Sequence, residues 1–125
     1  MKAKAKALYP FVPSGPHFDV AVAFLCELGF EKTWGCDDYA GMRYDQAYII
    51  LQKIDVPEWQ DNQMITIEVD DLDAYWSELD AKNLPTMFPG AKLRPPTDFP
   101  WGREIHIVDP AGVCWHVRQA AAEGN

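Results

Sequence analysis

Two short segments of this chain set 51 residues apart, AFLCEL at 23–28 and AYWSEL at 74–79, match at Ala, Glu and Leu and keep an aromatic at the second place. Self-similarity at a fixed offset points to one supersecondary plan used twice. Each segment lies in an amphipathic run. Phe18, Ala21, Leu25 and Leu28 recur at helical spacing, with Pro16 suited to a first turn and Gly29 to the position just past the end. Leu72, Tyr75, Trp76 and Leu79 do the same, entered through Asp70 and Asp71 and closed by KNLP at 82–85. Around each helix the pattern turns to period two and predicts strands near 4–12, 31–36, 39–44 and 46–53, then near 63–69, 87–93, 103–108 and 113–118. Each half is β-α-β-β-β, over about 4–54 and 63–118, with 55–63 as linker and the Pro/Gly-rich stretch 90–102 as a long loop. The predicted fold is α+β, one domain over 1–125, in which helices cover one face of a mixed sheet and leave the other free to curl into a cup.

Composition narrows the function classes. Apolar residues make up 48% of the chain, yet no run approaches the length of a membrane span, so a globular protein without membrane partner is expected. The opening MKAKAKALYP alternates Lys with Ala and lacks an apolar core, which argues against a secretory leader and for a half-wet strand. Three cysteines, Cys26, Cys36 and Cys114, without C-x-x-C spacing suit a reducing cytoplasm and give no disulfide or zinc framework. Eleven basic against nineteen acidic side chains leave a net charge of −8, a field that repels nucleic acid and attracts cations.

The second half ends in a hairpin whose register can be deduced. Asp109-Pro110-Ala111-Gly112 has type I turn chemistry, and a left-handed Gly112 makes a bulged three-residue loop. Ile107 then faces Trp115 and Ile105 faces Val117 on the core side, while His106 faces His116 and Glu104 faces Arg118 on the other. A one-residue slip would scatter the apolar set, so face pattern and turn agree. Glu104, His106, Cys114 and His116 are thereby expected on one polar surface. Two imidazoles and a carboxylate are a metal-ligand set. They are also donors and acceptors for an organic ligand, or a hydrogen-bonded cross-strand pair with no ligand. The residues alone leave these three readings open.

Aromatics form a second constellation. Trp101 precedes the hairpin, Trp34 and Tyr39 flank GCDDYAG, and Trp59 lies in the linker, positions that suit a flat ligand better than a core. Trp76 and Phe24, at helical spacing, read as core. Asp37, Asp38 and Asp61 supply carboxylates for a cation that also stacks.

On LGF (28–30), DDYAG (37–41), DN (61–62), WSE (76–78), PWGRE (100–104) and DPAG followed by Cys114 and His116, the chain resembles the glyoxalase, bleomycin-resistance and extradiol-dioxygenase superfamily. Within it, the resemblance is nearer to the bleomycin resistance proteins. The resemblance implies a domain-swapped homodimer with clefts at the subunit interface, in which Tyr39 and Trp101 sandwich a planar bithiazole and Trp34, Gln52 and Asp61 contact the ligand. It also implies that Pro10 favours exchange of the first strand. The positions of superfamily metal ligands hold Ala7 or Leu8, Met64 and His116, so no cofactor is expected and binding without catalysis is preferred. Thr66 and His106 depart from the bleomycin-binding pattern. The expected site is therefore Trp34, Tyr39, Gln52, Asp61, Trp101, Glu104, His106 and His116. The rival is a divalent-metal lyase, isomerase or dioxygenase using His106, His116 and Glu104.

Overall fold

The computed structural model describes residues 2–121. The first half runs β1 (Phe11–Pro13), α1 (Phe18–Leu28), β2 (Glu31–Gly35), β3 (Tyr39–Tyr44) and β4 (Ala47–Gln52). After α2 (Pro57–Asn62), the second half runs β5 (Met64–Val69), α3 (Leu72–Ala81), α4 (Leu84–Met87), β6 (Lys92–Phe99), β7 (Gly102–Val108) and β8 (Cys114–Gln119). The strands form two four-stranded sheets with one order, β1-β4-β3-β2 and β5-β8-β7-β6. In each, the first strand runs parallel to the last, the pairing that a helical crossover makes possible, and the other neighbours are antiparallel. The plan inferred from the two matched helices is thus repeated down to strand order.

Local chemistry sets the helix ends. Asp71 caps α3 by accepting from the Ala74 amide at 3.0 Å. Gly29, at φ 121°, ends α1 in a conformation that a side chain rarely adopts. The apolar stripes of α1 and α3 pack on the sheets, joining Phe24, Leu25, Leu28, Leu72 and Leu79 to Ile105, Ile107, Trp115 and Val117 in one core. Aromatic edges join the halves, with Phe30 against Trp115 at 5.7 Å between centroids and Phe24 against Phe88 at 5.2 Å. The Tyr75 hydroxyl donates to the Leu28 carbonyl at 2.7 Å.

Three expectations need correction. The strand expected over 4–12 shrinks to Phe11–Pro13, because alternating Lys and Ala offer almost no apolar surface to hold a strand on a sheet. The stretch expected as linker contains α2, started by Pro57 at its first turn and tied down by Gln60, which donates to the Ala111 carbonyl at 3.0 Å and accepts from the Val56 amide at 2.7 Å. The strand expected over 87–93 begins at Lys92 and runs on through most of the expected loop to Phe99. Its two prolines fall at a register shift between Arg94 and Thr97, on an edge strand where a missing amide hydrogen is tolerated.

Candidate ligand site

The β7–β8 hairpin has the register deduced from its turn: Ile105 faces Val117, His106 faces His116, Ile107 faces Trp115 and Glu104 faces Arg118. Gly112 takes φ 103°. Asp109, read from sequence as a turn former, does more. One carboxylate oxygen accepts from the Ala111 and Val113 amides at 2.9 and 3.0 Å, and the other accepts from the Trp115 indole at 3.0 Å. The turn is therefore bonded to the largest core side chain.

Strand alternation sends Ile105, Ile107, Trp115 and Val117 into the core and Glu104, His106, Cys114, His116 and Arg118 to the opposite face. There Glu104, although on the open side of the sheet, is 0% exposed, because its neighbours cover it. One oxygen accepts from His106 Nε2 at 3.0 Å and His116 Nδ1 at 3.1 Å. The other accepts from Arg118, Nε at 2.9 Å and the terminal nitrogen at 2.7 Å. Burial alone would raise the Glu104 carboxyl, but the hydrogen bonds from His106, His116 and Arg118, with a smaller contribution from Trp101, outweigh it and hold the pKa at about 2. An ionised carboxylate only accepts, so His116 turns an Nδ1 hydrogen toward Glu104, and Nε2 of the same ring lies 3.5 Å from Cys114 Sγ.

Above this layer lies a series of flat rings. Trp101 stacks on Phe99, centroids 5.0 Å and planes 7° apart. Phe99 stacks on His106 at 4.9 Å and 12°. His106 lies 4.3 Å from His116. Trp101 remains 58% exposed, leaving ring surface for a ligand. Phe99 was missed in the sequence because it sat in an apparent loop; its spacing of two from Trp101, on the approach to a strand, was the available signal.

Of the expected site residues, Trp101, Glu104, His106 and His116 come together on this hairpin and its rim. Trp34, Tyr39 and Gln52 lie on the other sheet, Tyr39 opposite Gln52, with Phe11 edge-on to Tyr39 at 6.1 Å. Trp34 is a strand residue and faces Gly41, where any Cβ would collide with its indole. Asp61 belongs to neither group: it sits in α2, with a carboxylate oxygen 3.2 Å from where a Cβ of Gly112 would lie.

Glu104, His106 and His116 offer three donor atoms within 4.8 Å of one another, close enough for a divalent ion. Their bonding argues against one. Both imidazoles hydrogen-bond the same Glu104 oxygen, and the Arg118 guanidinium holds the other, so a cation would displace two hydrogen bonds beside a fixed positive charge. Elsewhere, Met64 offers only an exposed thioether, and Ala7 and Leu8 offer no ligand atom. Among the described residues, no helix is long and apolar enough to cross a membrane.

No protein-family model matches the chain, and no curated protein matches it. Solved structures do. The bleomycin-binding protein from bleomycin-producing Streptomyces verticillus, complexed with copper(II)-bleomycin, is 27% identical, with a TM-score of 0.77 over 96% of this chain and 100% of that one. A bleomycin resistance determinant encoded on the transposon Tn5 is 18% identical, with a TM-score of 0.79 over 94% of this chain and 100% of that one. A fosfomycin resistance protein, FosX from Listeria monocytogenes, is 13% identical, with a TM-score of 0.72 over 97% and 98%. The chain thus has the bleomycin-resistance/glyoxalase fold, and it resembles the bleomycin-binding proteins most clearly through the first of these.

Proposed function

We propose that this protein binds and sequesters a flat, cationic small molecule of the bleomycin type without converting it, as a cytoplasmic homodimer that confers resistance. The observation that carries this reading is the series Trp101, Phe99 and His106, a stacked and partly exposed aromatic surface fixed from below by the buried Glu104 carboxylate. Rings stacked with planes nearly parallel present a π face to a planar group, and a net charge of −8 favours a cationic tail. Copper(II)-bleomycin in the Streptomyces verticillus protein supplies the ligand class.

The dimer is supported by what each half leaves open. Tyr39, Phe11 and the half-exposed Trp34 form an aromatic face on the first sheet, while the polar and stacked groups lie on the second. In the proposed dimer, the first sheet of one chain closes over the second sheet of its partner, so that Tyr39 and Trp101 hold the ligand between them. The segment before β1 supports exchange of the N-terminal arm: Leu8 is 80% exposed, and Pro10 already offers its carbonyl to the Ile50 amide at 2.9 Å.

Tryptophan fluorescence titration with copper-loaded and metal-free bleomycin tests the binding claim. Saturable quenching, lost in Trp101→Ala, is expected. No quenching at micromolar drug overturns the assignment of ligand. The non-metal reading has its own check: protein dialysed against a weak chelator should hold no stoichiometric divalent ion by elemental analysis, and one retained ion per chain, lost in His116→Ala, would restore the metal-enzyme alternative.

A further inference from the structure

A second opening lies between the two halves, away from the hairpin. β1 covers only Ile50, Leu51 and Gln52 of β4, so Ala47 to Ile49 have no strand on that side, and β5 pairs with β8 on one edge alone. Between these two free edges runs a trough of about 590 Å³, bordered also by Lys6, Ala7 and Leu8 of the arm before β1. The apolar side chains of β5 measure the opening: Ile65, Ile67 and Val69 stay half-buried, while Ile105, Ile107 and Val117 on the neighbouring strands are 0–1% exposed. Phe30 and Ile49, buried members of the core, back the trough. None of Trp101, Phe99, His106 and His116 lines it.

The trough also has a sign. Asp45, Glu68 and Asp70 are exposed and line it, against Lys6 alone. Among the described residues, none of these three carboxylates has an ion-pair partner. Tyr44, on the same wall, has its hydroxyl pKa raised by burial and then by Asp45, Glu78 and Asp70, so the negative potential reaches into the opening. An apolar trough fringed with uncompensated carboxylates complements a molecule with an apolar body and a cationic head. An anion would meet like charge there, and a neutral molecule would leave the carboxylates unpaired.

We propose that this trough is a second binding site, for a small organic amine whose apolar body lies over Ile49, Ile65 and Ile67 and whose ammonium group sits among Asp45, Glu68 and Asp70. Its volume falls within the range of small-molecule pockets, about 300–1,000 Å³. Apolar burial supplies most of the affinity, and the carboxylates select the charge.

Isothermal titration of the full chain with octylamine, octanoate and octanol, which share a tail and differ in head group, tests the site. Octylamine is expected to bind saturably, one per chain, about ten-fold or more tighter than octanoate, and added salt should narrow that gap. Asp45→Asn, which keeps a residue tolerant of the left-handed φ of 49°, and Glu68→Gln should each weaken octylamine by up to about five-fold and leave octanol unchanged. Amide shifts in nitrogen-15 spectra should cluster at Ala47 to Ile49 and Met64 to Val69. Octanoate binding as tightly as octylamine, shifts confined to the β7–β8 hairpin, or no saturable binding, as when the arm of a second copy fills the trough, overturns the site. Trp101→Ala should leave octylamine binding unchanged while it abolishes quenching by bleomycin, so drug binding and amine binding can fail separately; loss of octylamine in that variant places the amine at the rings and overturns the site as well.

Discussion

The His106 ring lies parallel to the Phe99 ring, 4.9 Å away and tilted by 12°, while its Nε2 hydrogen is held by the buried Glu104 oxygen at 3.0 Å. An aromatic surface is thereby locked to a buried charge, and each side of that link has a measurable consequence.

On the aromatic side, Phe99→Ala removes the middle ring and leaves Trp101 without its stacking partner. Ligand affinity should fall by about 0.5–1.5 kcal/mol beyond the lost contact area. Isothermal titration of Phe99→Ala against Phe99→Tyr, which keeps the ring, separates stacking from general damage.

On the charged side, Glu104→Ala should destabilise the protein by about 3–5 kcal/mol, because Arg118 is left beside an unfilled, partly buried site. The pH dependence has a defined sign. The Glu104 carboxyl is lowered in the folded protein from 4.5 to about 2, so its stabilisation is fully present above pH 4.5 and is lost as pH falls toward 2. Denaturant melts across this window should show a falling acid limb that is flatter in Glu104→Gln.

The hairpin turn can be tested separately. Asp109→Asn keeps an acceptor for the Ala111 and Val113 amides but turns an amide group toward the Trp115 indole hydrogen. A loss of about 1–3 kcal/mol is expected, the cost of a buried donor without a partner. Urea unfolding, followed by near-ultraviolet dichroism, reads it.

These residues also mark what could be deduced from sequence. The β7–β8 register was legible because turn chemistry and apolar alternation are independent constraints with one common solution, and with it came the meeting of Glu104, His106 and His116. At β6 the local pattern misleads: Pro95 and Pro96 signal a loop unless the strand is known to be an edge, and Phe99 is hidden with it. Lys-Ala alternation at the N-terminus imitated a strand because period two says nothing about whether the inner face has surface to bury. Gln60 and Asp109 were invisible as anchors because their partners, Ala111 and Trp115, are named only by the tertiary fold. The division of the expected site between two sheets follows from the two β-α-β-β-β halves, with Trp34, Tyr39 and Gln52 in the first and Trp101, Glu104, His106 and His116 in the second.

On the first sheet, Trp34 lies so close over Gly41 that no side chain fits beneath it. Gly41→Val should displace the indole and cost about 1–3 kcal/mol through overpacking. If Trp34 lines the cleft, ligand affinity falls with it, while Trp34→Phe at an intact Gly41 keeps most of both; paired melts and titrations of the two variants decide.

Native mass spectrometry of the protein with copper(II)-bleomycin counts chains and ligands together. A dimer carrying two ligands is expected, with ligand lost in both Trp101→Ala and Tyr39→Ala while the dimer persists. A monomer that binds the drug by itself, or a dimer whose binding survives both substitutions, would contradict it.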